Sequence, residues 1–302
     1  MRLQHLQLIL AIAEMGTLRA AAERMNVTQP ALTKALRQLE DEFGTAMVLR
    51  SPKGVRLTPA GELLAARAAT ALRELDRARE EVAWQMRHAR ARVAVGVSPA
   101  AAITLMPGAL ARLRARWPQV QVGVVDALYP RALTMVRAGE LDLAAGPLPP
   151  DGAGQGLRVV PLFDAQQILV ARAGHPLARA RRLADLEQAA WVVTGPPNGP
   201  GDPAHLGFER LGLATPPVVL QCESFSTLVA LMPSIDAVGI MPQGFFDQYA
   251  GRMGLIRLPI DDPLPHVTLH AVWRADAPLT APAARLLDAM EVEARGVRAA
   301  RR

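Results

Sequence analysis

Residues 18–40 read Leu18-Arg-Ala-Ala-Ala-Glu-Arg-Met-Asn-Val-Thr-Gln-Pro-Ala-Leu-Thr-Lys-Ala-Leu-Arg-Gln-Leu-Glu40. The stretch parses into two short helices around a tight turn. Leu18 to Met25 is alanine-rich, so a neighbouring helix can approach closely, and Thr17 stands where it can cap the first turn. Asn26 and Val27 form the turn. Thr28 offers a hydroxyl cap for the next helix, and Pro30 falls in its first turn, where a missing N–H costs nothing. On that helix Leu32, Ala35, Leu36 and Leu39 share one face, the core face. Gln29, Pro30, Thr33, Lys34 and Arg37 project from the other side. An amide suits adenine, a hydroxyl suits any base, and a cation suits guanine or phosphate, so this face has the chemistry of a DNA recognition helix. A merely solvated polar face would read the same from this helix alone.

Upstream, Leu3, Leu6, Leu10 and Ala13 recur at helical spacing until Gly16 stops the run. Downstream, Arg50-Ser-Pro-Lys-Gly-Val-Arg-Leu57 predicts a two-stranded hairpin carrying Arg50, Lys53 and Arg56. Thr58-Pro59 then restarts a helix that meets no breaker until about Arg90. Along it Ala65, Ala68, Leu72, Leu75, Arg79, Val82 and Met86 alternate in steps of three and four. That is the seam of a helix pairing with another helix, although packing onto the chain's own body would use the same residues.

After Arg92 short strands alternate with helices, which predicts a mostly parallel α/β arrangement. Strands are expected at Val93–Ser98, Val120–Asp126 and Leu141–Gly146, with helices at Thr104–Trp117 and Pro130–Ala138. A second set runs through Gln167–Arg172, Trp191–Thr194, Val218–Cys222, Ala237–Met241 and Val267–Arg274. Its helices are expected at Pro203–Leu211, Ser224–Leu231 and Ala281–Glu293. Two crossings, near 163–168 and 259–267, would join two lobes and leave a ligand cleft between them. Ser98 and Ser224 each stand between a strand and a helix, one in each lobe, and Thr194 ends another strand. Together they could hold a carboxylate or sulfonate, with Ala100 leaving room for an apolar body; plain helix capping explains the serines equally well.

The 302 residues suit two or three domains: 1–58, 59–90 and 91–302, with lobe I about 91–163 plus 268–302 and lobe II about 164–267. The net charge is +6, of which residues 1–90 carry +4, an excess that fits a polyanionic partner. Met1 is followed by Arg-Leu-Gln-His, not by an apolar leader, and a cytoplasmic protein with no membrane partner is expected. The single cysteine, Cys222, excludes an intrachain disulfide and a two-thiol switch. The six histidines are scattered, so no metal is expected, and neither a Walker loop nor a dinucleotide fingerprint implies a nucleotide cofactor. No Gly-x-Ser-x-Gly elbow or paired catalytic carboxylates appear, which disfavours an enzyme. The competing class is a ligand-binding α/β receptor or small-molecule enzyme with no regulatory role; a receptor would carry a secretory signal where this chain has a basic helical module.

The run from Leu18 to Glu40, extended by Phe43-Gly44, Arg50 and Leu57-Thr-Pro-Ala-Gly61, resembles the helix-turn-helix of LysR-type transcriptional regulators. The likeness is strong in sequence over roughly the first quarter and matches the whole chain in layout. It implies a winged helix-turn-helix, a long linker helix and a two-lobed, periplasmic-binding-protein-like α/β effector domain, assembled through the linker as dimers and then tetramers. Gln29, Pro30, Thr33, Lys34 and Arg37 match the positions that face the major groove, and Arg50, Lys53 and Arg56 match the wing. Thr33 departs from the more usual serine, and Val48-Leu49 from the common Leu-Phe. Val97-Ser-Pro-Ala100, Leu128-Tyr-Pro130, Gly139-Glu-Leu-Asp142 and Cys222-Glu-Ser-Phe225 resemble the subgroup that regulates aromatic degradation, including the regulator of the toluenesulfonate operon. The partners so implied are double-stranded promoter DNA, an aromatic carboxylate or sulfonate effector, further copies of the chain, and RNA polymerase.

Overall fold

The computed structural model describes residues 1–52, 54–85, 91–197, 199–200, 202 and 204–300. Lys53 and Met86 lie outside the described residues. The chain divides into two compact units, Met1–Ala83 and Trp84–Arg302.

The first unit is built from α1 (Leu3–Met15), α2 (Leu18–Arg24), α3 (Gln29–Phe43), a hairpin of β1 (Val48–Ser51) and β2 (Gly54–Leu57), and α4, which runs Pro59–Gln85 across the unit boundary. Local signals set several of the boundaries. Gly16 and Gly44 end α1 and α3 in the left-handed region, at φ +66° in both cases. Thr17 accepts the Ala20 N–H at 3.2 Å and Thr28 the Ala31 N–H at 3.3 Å, so both hydroxyls cap as the sequence predicts. The turn between α2 and α3 places Asn26 at φ +55°, where Asn is tolerated better than most residues. The core gathers Leu8, Ile9, Ile12, Ala21, Leu36 and Leu39.

Two close backbone approaches hold the hairpin in place. The Gly16 carbonyl accepts the Val55 N–H at 2.8 Å, and a Cβ on Gly54 would lie 2.6 Å from that same oxygen. At the other end Thr58 caps α4 through the Gly61 N–H at 3.0 Å while its hydroxyl donates to the Ala46 carbonyl at 2.8 Å. A Cβ on Gly61 would lie 2.1 Å from the Met47 carbonyl oxygen. The Leu57-Thr-Pro-Ala-Gly61 motif is therefore a packing device that lets a helix start touch the strand before the wing.

The second unit runs β3 (Arg92–Val97), α5 (Pro99–Thr104), α6 (Met106–Arg116), β4 (Gln121–Asp126), α7 (Arg131–Ala138), β5 (Leu143–Pro147) and β6 (Leu157–Ala165). It crosses at Gln166 into β7 (Gln167–Arg172), β8 (Trp191–Thr194), α8 (Ala204–Arg210), β9 (Val218–Cys222), α9 (Phe225–Leu231), β10 (Val238–Pro242), α10 (Gln243–Gln248) and β11 (Leu255–Arg257). It then returns as β12 (Val267–Arg274) and α11 (Ala281–Ala300). The two five-stranded sheets have orders β4-β3-β5-β12-β6 and β11-β7-β10-β8-β9.

Three expectations need correction. The sheets are mixed, not mostly parallel: β12 runs antiparallel to β5 and β6, and β7 antiparallel to β10 and β11. Those are the strands next to the two crossings, whose direction is set by the chain passing between lobes and not by a helical crossover. The helix expected at Thr104–Trp117 is present as α6, but a helix not anticipated, α5, precedes it from Pro99 and the two break at Leu105. Strands β6 and β11 have no counterpart among the sequence expectations. Pro161 disguises β6, and it is accommodated because β6 is an edge strand of its sheet.

Side-chain alternation explains each sheet. Val93, Val95 and Val97 of β3 pack with Leu143, Leu269 and Leu286 in the first lobe. In the second, β8 is covered on both faces: Val192 meets Leu228 and Met232, while Trp191 meets Phe208 edge-on with ring centroids 5.5 Å apart.

Candidate functional sites

The DNA-facing candidates lie in the first unit. Gln29, Pro30, Lys34 and Arg37 are exposed on α3 and Thr33 is half-buried. Gln29, Thr33 and Arg37 follow one another at steps of four, a single stripe beside the buried face of Leu32, Leu36 and Leu39. Arg50 and Arg56 are exposed on the hairpin, and its register separates them: Arg50 pairs with Val55 and Arg56 with Leu49, so they point to opposite faces. Lys53, assigned to the wing from sequence, lies outside the described residues. Lys34, Arg37, Arg50 and Arg56 pair with no acidic side chain among the described residues, whereas Arg19 is tied to Glu23 at 3.0 Å. Cations with no internal partner are the ones available to phosphate.

The linker helix divides along its length. Ala65 and Ala68 are buried in the first unit's own core and Leu72 packs against it. Leu75 and Val82, one heptad apart, are 45% and 62% exposed. Packing onto the chain's own body thus accounts for Ala65, Ala68 and Leu72, and it leaves Leu75 and Val82 exposed.

In the second unit Ser98 caps α5. It is 3% exposed, donates its N–H to the Ala145 carbonyl at 2.8 Å and accepts the Ala101 N–H on Oγ at 3.4 Å. Gly146 makes room for it, since a Cβ there would sit 3.3 Å from Ser98 Cβ. Capping does not exhaust this serine: a hydroxyl that accepts from the helix can still donate its own hydrogen. Ser98, Ala100 and Thr194 line one cavity between the lobes, of about 50 Å³, together with Leu128, Gln167 and Ile240. Ser224 is not among the described residues lining it; its Oγ lies 2.7 Å from Ser226 Oγ, and it is the next residue, Phe225, that forms part of the wall.

Among the described lining residues the polar side chains are Ser98, Thr194 and Gln167, and none is ionisable. Sequence reasoning misses Gln167, although its place at the first crossing is the available signal. Roughly 150 Å³ of empty apolar cavity holds a benzene ring, so a cavity of about 50 Å³ takes an acid group or a water or two but not an aromatic body. A ring enters only if the lobes part.

A larger groove of about 730 Å³ opens on the other side of Pro99 and Phe225, which belong to the walls of both. Asp126, at the end of β4, lies on it, and burial against apolar neighbours pushes its carboxyl above the usual carboxylate range despite nearby Arg131.

Comparison with known proteins places the chain in a family. Residues 3–62 match the family described as "Bacterial regulatory helix-turn-helix protein, lysR family", and residues 87–294 match the "LysR substrate binding domain". The regulator TdcA of Escherichia coli K12 is 29% identical over 270 residues, covering 89% of this chain and 86% of its own. The dual regulator OxyR of the same strain is 26% identical over 298 residues, 98% of this chain and 97% of its own. Among solved structures, CbnR bound to its target DNA superposes with a TM-score of 0.73 at 19% identity, covering 97% of this chain and all of that one. A full-length OxyR variant of Pseudomonas aeruginosa, with a cysteine replaced by aspartate, gives 0.63 at 24%, covering 98% and 95%; both likenesses speak to the fold. The chain belongs to the LysR family, a DNA-binding transcriptional regulator with a helix-turn-helix domain and a two-lobed α/β effector-binding domain.

Proposed function

We propose that this regulator reads a near-palindromic promoter site with the Gln29–Arg37 face of α3 and the wing cations Arg50, Lys53 and Arg56, and responds to a small aromatic carboxylate or sulfonate held at Ser98, Ala100, Thr194 and Ser224. The observation that carries the DNA half is the stripe of exposed residues on α3 whose cations have no acidic partner among the described residues. The division 1–58, 59–90 and 91–302 assigns reading, assembly and sensing to successive segments. The protein is cytoplasmic, acts without catalysing a reaction, and engages RNA polymerase at the promoter. Gel shifts test the reading: a duplex with half-sites about one turn apart should shift, and a scrambled duplex of equal length should not. Equal affinity for both overturns it.

The effector half rests on the polar groups of the interlobe cavity. An acid group would be held by neutral donors, the Ser98 hydroxyl and the Thr194 and Gln167 side chains, and the body of the effector requires the lobes to open. Ser224 would join only in that open form, by exchanging its bond to Ser226. Deleting one charge-assisted donor in Ser98→Ala should weaken effector binding about ten- to hundredfold, with DNA affinity in the absence of effector unchanged. Calorimetry with an identified aromatic acid checks this, and wild-type affinity in Ser98→Ala removes the residue from the site. No two-thiol switch within one chain forms part of this reading, because Cys222 is the single cysteine of the sequence and cannot close an intrachain disulfide.

Assembly proceeds through α4, as a dimer and then a tetramer. Leu72 already packs on its own unit, so its replacement would confound folding with assembly. Leu75→Asp with Val82→Asp instead places charges on exposed positions one heptad apart and should shift the protein to smaller species in sedimentation. An unchanged mass for the folded double variant would put the contact elsewhere.

A further inference from the structure

The groove of about 730 Å³ is of the size that binds small ligands, and it is built unlike the effector cavity. Val97, Ala102 and Val124 form one wall and Val229, Phe245 and Met253 the other, so each lobe contributes a side. Its polar side chains are Ser226 and Asp126, and no cation lines it among the described residues. An anion entering there would meet the Asp126 carboxylate, while the nearby Arg131 is not part of the lining. A neutral apolar molecule gains nothing from Asp126 at the groove's exposed edge, while an ammonium on an apolar body would pair with it.

We propose that this groove is a second ligand site, selective for a small amphiphile with an apolar body and a protonated amine that pairs with Asp126. The site is distinct from the effector cavity in place and in charge preference. Its occupant touches both lobes, and Pro99 and Phe225 serve as walls of both spaces. A ligand that wedges between Val124 and Val229 favours one angle between the lobes, and the effector, which needs the lobes apart, favours its own. The two ligands are therefore coupled, and by linkage each changes the other's affinity by the same factor.

Phenethylamine and its isosteres phenethyl alcohol and phenylacetate separate the contributions of body and charge. Titrated calorimetrically into the full-length protein at neutral pH, phenethylamine should bind saturably at one site. Asp126→Asn should weaken it about ten- to hundredfold, as expected for loss of a charge-assisted bond, and leave the weaker phenethyl alcohol unchanged. Ala230→Trp, which fills an exposed position of the groove, should abolish binding of both. Phenylacetate, repelled by the carboxylate, should bind the wild type more weakly than phenethyl alcohol does, and Asp126→Asn should narrow that difference. The proposal is overturned if phenethylamine binds equally well to Asp126→Asn, or does not bind the wild type at millimolar concentration. It is equally overturned if Ala230→Trp dissociates the oligomer in sedimentation while the wild type takes up no amine, because the groove is then covered by a second copy.

Discussion

Replacing Gly61 with alanine is expected to cost the first unit about 3 kcal/mol or more, enough to lower its melting temperature by roughly 12–25 °C. The added Cβ would sit 2.1 Å from the Met47 carbonyl oxygen and 3.1 Å from its carbon, and both belong to backbone. Relief requires moving either the start of α4 or the strand that leads into the wing. Neither moves cheaply, since Thr58 N–H donates to that same Met47 oxygen at 3.0 Å and its hydroxyl to Ala46. Gly44→Ala is the control. It also sits at a helix end, at φ +66°, but a Cβ there meets nothing within 4 Å, so only the left-handed conformation is penalised, by about 1–2 kcal/mol. Differential scanning calorimetry of the full chain should show the transition of Met1–Ala83 moving further down in Gly61→Ala than in Gly44→Ala, with the transition of the second unit unmoved. Equal shifts would mean that the Met47–Gly61 contact carries no special load.

Arg37→Ala is expected to weaken specific DNA binding about ten- to hundredfold. The residue is exposed at the end of the Gln29–Thr33–Arg37 stripe and has no acidic partner among the described residues, so no internal ion pair compensates its loss. Fluorescence anisotropy at several salt concentrations separates its two possible partners. A phosphate contact predicts a uniform loss across sequences and a salt slope smaller by about one, whereas a guanine contact predicts relaxed discrimination at one base pair with the slope nearly unchanged. Arg19→Ala serves as the comparison, because that guanidinium is already engaged by Glu23 and sits on α2, and its removal should do little. Equal effects of the two changes would take α3 out of the recognition role.

The first unit is legible in the sequence because its signals are local. Gly16, Thr17, Thr28, Pro30 and Gly44 each act within a few residues of themselves, and the hairpin's turn is written in Pro52-Lys-Gly54. The sensor is less so. Ser98-Pro99 carries the same hydroxyl-then-proline signal that starts α4 at Thr58-Pro59, yet the sequence reading starts the helix at Thr104, because the periodicity of α6 is the stronger pattern and hides the break at Leu105. Serine caps at strand ends can be read one by one. Whether their hydroxyls converge cannot, since Ser98 and Thr194 meet across 96 positions of chain while Ser224 turns to Ser226. The groove at Asp126 has no sequence signal: its walls come from two lobes, and a valine facing a cavity reads like a valine facing a core.

The bond from Val55 to the Gly16 carbonyl has a thermodynamic consequence for operator binding. A wing free to swing would have to be immobilised when it meets the duplex, and that lost freedom would subtract from affinity. Here the turn end of the hairpin is fastened to the end of α1 before any DNA arrives. The cations on α3 and on the hairpin are thus presented as one rigid template, so association should be accompanied by little ordering of this unit. Its entropy change would then come mainly from counterions and water released at the phosphates.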